Sequence, residues 1–264
     1  MAEETQYIAN TGMVTISTGN DNLDGTGTIS TVLSGSLNGT LVKSVIIKAQ
    51  GNTTEGMVRL FVKGGATTRI IGEIDVPAIT KSSRNCAFGI EVPLDLKLES
   101  GYELMASTQR AEVFNVIGFG LNWEYYSSSV RTDTTQYTAV SAMSAVATAN
   151  PNLDGTGTIA TVLTAGVAAS GWKGCKINSV TIKATVSTTP GMIRFFIKDT
   201  STNIKLFLEV PVQYVNKSSS ALSFEETIFF PDLYLSPGYS LLVSTEIAES
   251  FIVSADALNW NYLP

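Results

Sequence analysis

Short runs of alternating apolar and polar residues fill this chain, and turn-forming clusters separate them. Residues 56–63 give the clearest pattern: Val58, Leu60 and Val62 share one face, while Met57, Arg59, Phe61 and Lys63 share the other. That period of two predicts a strand whose valine–leucine face looks into a core. Strands are predicted in the same way at 27–33, 41–49, 69–76, 86–98, 102–108 and 113–123. They return at 156–163, 177–184, 191–198, 205–210, 223–235, 239–245 and 251–262. Gly64-Gly65, Ser100-Gly101, Pro190-Gly191 and Pro237-Gly238 mark turns between them. No stretch carries an apolar stripe at helical spacing with caps at both ends. The expectation is an all-β chain.

The two series of strands are copies of each other. Asn22-Leu23-Asp24-Gly25-Thr26-Gly27-Thr28-Ile29 returns as Asn152-Leu153-Asp154-Gly155-Thr156-Gly157-Thr158-Ile159. Thr5-Gln6-Tyr7 and Met13 answer Thr135-Gln136-Tyr137 and Met143. Gly56-Met57-Val58-Arg59 answers Gly191-Met192-Ile193-Arg194, and Leu121-Asn122-Trp123 answers Leu258-Asn259-Trp260. A period this long is that of a domain, not of a solenoid repeat. Two tandem β-sandwich domains are therefore expected, 1–126 and 127–264, each opening on an extended N-terminal arm. Seven or eight short strands per copy, with a Gly-Tyr-x-Leu return strand, suit a jelly-roll-like sandwich. The arms, 6–18 and 136–148, are expected to lie as edge segments on their own domain or on a neighbouring subunit.

Composition narrows the function classes. Hydrophobic residues make up 44% of the chain and charged ones 15%, the balance of a folded protein. A net charge of −6 comes without the basic stripe that phosphates require, so nucleic acid is not an expected partner. No apolar run approaches the ~18 residues of a membrane helix. The acidic opening Met1-Ala2-Glu3-Glu4 lacks the apolar core of a secretory signal. Cys86 and Cys175 stand at non-equivalent places in the two copies, so both are read as free thiols.

The chain has no histidine, which removes Ser-His-Asp and Cys-His catalysis and the common zinc sites. Catalytic residues and cofactors are expected to be none. Glu225 and Glu226 are sequence neighbours and face opposite ways in a strand, while Glu73 and Asp75 share a face that holds only Glu209 in the second copy. Asn20, Asn22 and Asp24, with Asn150, Asn152 and Asp154, are spaced like the first half of a calcium loop. Thr31 and Thr161 stand where the bidentate glutamate belongs, so a structural turn closed by Asx bonds is favoured over a cation site. Trp172 has no counterpart and lies in the second copy's insertion, which makes it a contact candidate; Tyr7 and Tyr137 on the arms are the others. Phe61, Phe114, Trp123 and Tyr125 recur as Phe196, Phe251, Trp260 and Tyr262, which points to packing and not to a specific ligand.

Residues 22–33, 47–49, 53–61, 101–108 and 111–116, with their echoes at 152–163, 182–184, 188–196, 238–245 and 248–253, carry a further signal. Together they resemble a family of small β-rich virion structural proteins encoded by tailed bacteriophages. The resemblance implies a structural role on or near the capsid, with localisation in the virion after synthesis in the host cytoplasm. The leading expectation is a decoration or cement protein that bridges capsomers. It would act as a homo-oligomer, a trimer being favoured, against the major capsid or other virion proteins. A double-jelly-roll capsid protein, a tail or fibre component, and a tandem carbohydrate-binding module follow in that order.

Overall fold

In the computed structural model of the chain, residues 6–124 and 134–263 are described; Tyr125 and the expected boundary at 126/127 lie outside them. The first copy forms β1 (Gln6–Ile16), β2 (Ser30–Ser34), β3 (Thr40–Ala49), β4 (Gly56–Gly64), β5 (Thr67–Val76), β6 (Gly89–Leu98), β7 (Tyr102–Thr108) and β8 (Phe114–Glu124). The second forms β9 (Thr134–Val146), β10 (Ala160–Thr164), β11 (Gly174–Ala184), β12 (Gly191–Lys198), β13 (Ile204–Val212), β14 (Glu225–Leu235), β15 (Ser240–Thr245) and β16 (Phe251–Leu263). One short 3-10 turn, Ala168–Ser170, interrupts the second series. Both arms are strands, β1 on β8 and β9 on β16. Among the described residues no helix is long and apolar enough to cross a membrane.

Strand order defines the architecture. The first copy builds one sheet in the order β1-β8-β3-β6 and a second in the order β2-β7-β4-β5. The second copy repeats this as β9-β16-β11-β14 and β10-β15-β12-β13, every pairing antiparallel. Eight strands arranged this way on two facing sheets make a jelly roll. The chain is two of them in tandem.

Strands start later than the alternation predicts at 27–33 and 156–163. Gly25 and Gly27 hold φ of 84° and 81°, and Gly155 and Gly157 hold 87° and 82°, so 20–28 and 150–158 are loops before β2 and β10 begin. On β4 the expected inward set, Val58, Leu60 and Val62, does pack in the first core with Val45, Ile47, Leu104 and Val116.

β8 departs from simple alternation, because it is buried on both faces. Phe114 and Val116 enter the first core. Ile117 and Phe119, fully buried, instead join the core of the second sandwich, with Met13 of β1 and Ile46 of β3 packed beside them. The outer face of the β1-β8-β3-β6 sheet is thus a wall against which the second copy sets its open side, between β13 and β14. Phe207 on β13 packs there with its ring tilted against those of Phe195 and Phe230, at ring-centroid distances of 6.4 and 6.1 Å. The outer face of the first sandwich thereby becomes part of the second sandwich's core, while the first core stays separate.

Candidate functional site

The repeated Asn-Asp-Gly loops are built to hold themselves. Asn20 is buried; its amide Nδ2 donates to the Thr26 and Thr28 carbonyls at 2.9 and 3.1 Å, and its Oδ1 accepts from the Asn22 N–H at 3.0 Å. Asn150 does the same with Thr156, Thr158 and Asn152. The hydroxyl and N–H of Thr26 both donate to Asp24 and hold its carboxyl below the ordinary value, and Thr156 acts likewise on Asp154. An added Cβ at Gly27 or Gly157 would sit 2.6 Å from the asparagine oxygen, so the turn demands glycine. Arg59 then ties the first loop down by donating to the Asn20 carbonyl at 2.7 Å, and Arg194 ties the second through Asn150 at 2.9 Å. Of the candidate cation ligands, Asn20 and Asn150 use both side-chain ends to close the turns, Asn22 and Asn152 use their amide Nδ2, and Asp24 and Asp154 use Oδ1. The second loop also borders a shallow cleft of about 400 Å³ with Gln50, Gly51 and Lys81, where the lysine puts a positive charge on the same rim as Asp154.

Ionisable chemistry gathers at the seam. Glu209 of β13 is fully buried and receives Lys48 of β3 at 3.0 Å, Arg194 of β12 at 3.1 Å and the Ala87 N–H at 2.9 Å. Burial alone would raise its pKa; the charge and hydrogen bond of Lys48, with Ala87 and Arg194, outweigh that and hold the carboxyl below the usual carboxylate range. Arg194 reaches Glu246 at 2.8 Å as well. Cys86 lies beside the cluster, its Sγ 3.7 Å from Met192 Sδ. Burial, together with the Glu209 charge, pushes that thiol up, which keeps it protonated and a poor nucleophile. Cys175 sits inside the second core, pushed up to about 12 by burial. A carboxylate held ionised by two cations is poorly placed to exchange protons near neutral pH. Its chemistry is that of a clamp.

A second clamp grips the first arm. The outer edge of β1 is bonded to the second sandwich at every outward residue from Tyr7 to Thr11. Trp260 Nε1 donates to the Tyr7 carbonyl at 3.0 Å, and the Tyr262 hydroxyl accepts from the Tyr7 N–H and donates to its carbonyl. The Ala9 N–H donates to the Lys173 carbonyl at 2.8 Å. Thr11 and Ser236 exchange bonds, the Thr11 N–H donating to Ser236 Oγ at 2.7 Å and the Ser236 N–H to Thr11 Oγ1 at 3.0 Å. Of the contact candidates, Tyr7 is thus engaged within the chain. Trp172 lies half-buried against Gly166, whose added Cβ would meet the indole at 2.4 Å. Tyr137 on β9 is 66% exposed. These three candidates do not come together.

From sequence Glu209 stands out only as the acidic residue that answers Glu73 and Asp75, not as the centre of a cluster. A signal was present: the Arg59/Glu73 and Arg194/Glu209 pairs recur at matching places, and both form, at 2.9 and 3.1 Å. The first pair stays near solvent, with Glu73 43% exposed, because no other sandwich covers it.

No family model matches the chain, and no curated protein does. Solved structures show a faint likeness over nearly its whole length. The N-terminal CBM22-1–CBM22-2 tandem domain of Paenibacillus barcinonensis Xyn10C covers 96% of this chain and 92% of its own, at 10% identity and a TM-score of 0.26. The major capsid protein P2 of bacteriophage PM2 covers 96% and 98%, at 11% identity and 0.23. A chain of Sulfolobus Turreted Icosahedral Virus covers 97% of this chain and 60% of its own, at 11% identity and 0.24. Scores this low assign no family, and the fold rests on the strand order above.

Proposed function

We propose that this chain is a structural protein of a bacteriophage virion, a decoration or cement subunit that bridges capsomers and works by binding. The observation that carries the reading is the seam. Two jelly rolls are locked in fixed relation by a buried ionic clamp and by an apolar wall of the first that completes the core of the second, so one chain offers two different outer surfaces at a set spacing. Bridging two neighbouring sites on a particle calls for such a rigid double unit, and many copies add avidity to weak single contacts. The sequence resemblance to virion proteins supplies the setting. The recurring aromatics Phe61, Phe114, Phe196, Phe251 and Trp260 are interior, which leaves fewer ring platforms for the rival glycan-binding role.

Strand order favours a second reading, the shell subunit itself, since the jelly roll is a recurrent capsid architecture. Deleting the gene separates the two. A decoration role predicts particles that still form and burst more readily under heat or osmotic shock; a shell role predicts no particles. Mass spectrometry of purified virions is expected to find the chain in many copies, and its absence there overturns both.

A further inference from the structure

The strand at the rim of a sheet leaves a row of backbone N–H and C=O groups that has to be protected. This fold has eight such strands. β2 and β10 are five residues long and bulged. β5 carries Arg69, Glu73 and Asp75; β6 carries Glu91, Pro93, Asp95 and Lys97; β14 carries Glu225, Glu226, Pro231 and Asp232. β13 lies in the seam, and β1 is clasped by the second sandwich. Among the described residues β9 has none of these protections. Its 13 residues, Thr134–Val146, contain no charge and no proline.

Equivalence with β1 shows which groups β9 leaves open. Tyr7, Ala9 and Thr11 turn their backbone groups away from β8, and Tyr137, Ala139 and Ser141 are their counterparts on β9. With Met143 and Ala145 they form an exposed outward row, where Tyr137 is 66% and Met143 76% accessible. Among the described residues nothing bonds to that edge.

We propose that β9 is a dimerisation strand: two copies of this chain pair their β9 edges antiparallel about a two-fold axis at Ser141. In that register Ala139 opposes Met143 and Tyr137 opposes Ala145, so each large side chain meets a small one and Ser141 meets itself. A second copy fits because the strand is its own complement in size and sets no like charges against each other. The rims of β5, β6 and β14 are charged and lack that property. The contact is isologous and joins two four-stranded sheets into one continuous sheet. It makes the soluble unit a dimer, in place of the trimer expected from sequence, and it stands independently of the virion role.

Light scattering on the full chain tests it. The native protein is expected at twice the 28.1 kDa chain mass. Ser141→Lys places two ammonium groups opposite each other at the axis, while in a single chain the side chain stays on the open face. It is expected at the single-chain mass with an unchanged circular dichroism spectrum. Thr227→Lys, exposed on the far strand of the same sheet, is expected to leave the dimer intact. Hydrogen exchange adds a local readout, with the Ala139, Ser141 and Met143 amides slow in the dimer and fast in Ser141→Lys. If Ser141→Lys misfolds, Ala139→Lys tests the same edge by setting a long charged side chain against Met143 at both places where the small alanine met it. A monomeric or trimeric native chain, or a dimer that survives these lysines, overturns the proposal.

Discussion

Glu209 concentrates the seam's electrostatics in one side chain. Removing one partner from a buried ion pair costs about 3–5 kcal/mol, because the other charge is left in a poor environment. Glu209→Gln is expected to lose that much in chemical denaturation, and a loss under about 1 kcal/mol would mean that the clamp contributes no more than a surface pair. Its pKa lies below the ordinary 4.5, so the stability it contributes is present above that value and is lost as pH falls through the lower, folded-state value. The native chain is therefore expected to weaken below pH 4.5, and Glu209→Gln to show a flatter profile there. Asn150→Ala removes the partner of two carbonyls and one N–H, a cost of about 1–3 kcal/mol by thermal unfolding. The asparagine loops were legible in the sequence because each closes its bonds within eight residues. Glu209 was not, because Lys48 and Ala87 belong to the other copy.

At the scale of the strand, alternation named the inward set of β4 correctly, although Phe61 on the opposite face is fully buried as well. On β8 it placed the strand but pointed to no single inward face, because both faces are covered and the outward row reads as another inward one. Comparing the copies exposes the reason. Ile46, Ile117 and Phe119 in the covered sheet correspond to Thr181, Ser254 and Asp256 in the uncovered one. On the other side of the seam, Phe207 is buried while its counterpart Ile71 is 45% exposed. The large apolar groups of the seam thus stand on the covered sheet of the first copy and on the covering strands of the second, and their counterparts on the uncovered sheet of the second copy are polar. Phe119→Asp, which imports the second copy's residue, is expected to cost at least the 3–5 kcal/mol of a buried Phe truncation. Limited proteolysis is expected to show both halves cleaved faster. The reverse change, Asp256→Phe, is expected to leave folding stability within about 0.5 kcal/mol, as for a surface site.

For the whole molecule, the duplication yields a double unit whose halves have become unlike: one lends a wall, the other leans its open side on it. The strand spacing and the repeat made the tandem sandwich readable, whereas the relative placement of the halves was not, since it depends on side chains that meet only after both have folded. Chain order then imposes a constraint in time. Ile117 and Phe119 leave the ribosome before β13 and β14, which cover them. At 5–20 residues per second, roughly 5–20 s separate the end of β8 from the end of β14. Through that interval the first sandwich has its own core but shows a greasy wall to water. The nascent chain is at its stickiest midway through synthesis, and it is fully sheltered only when the last strand closes over Tyr7.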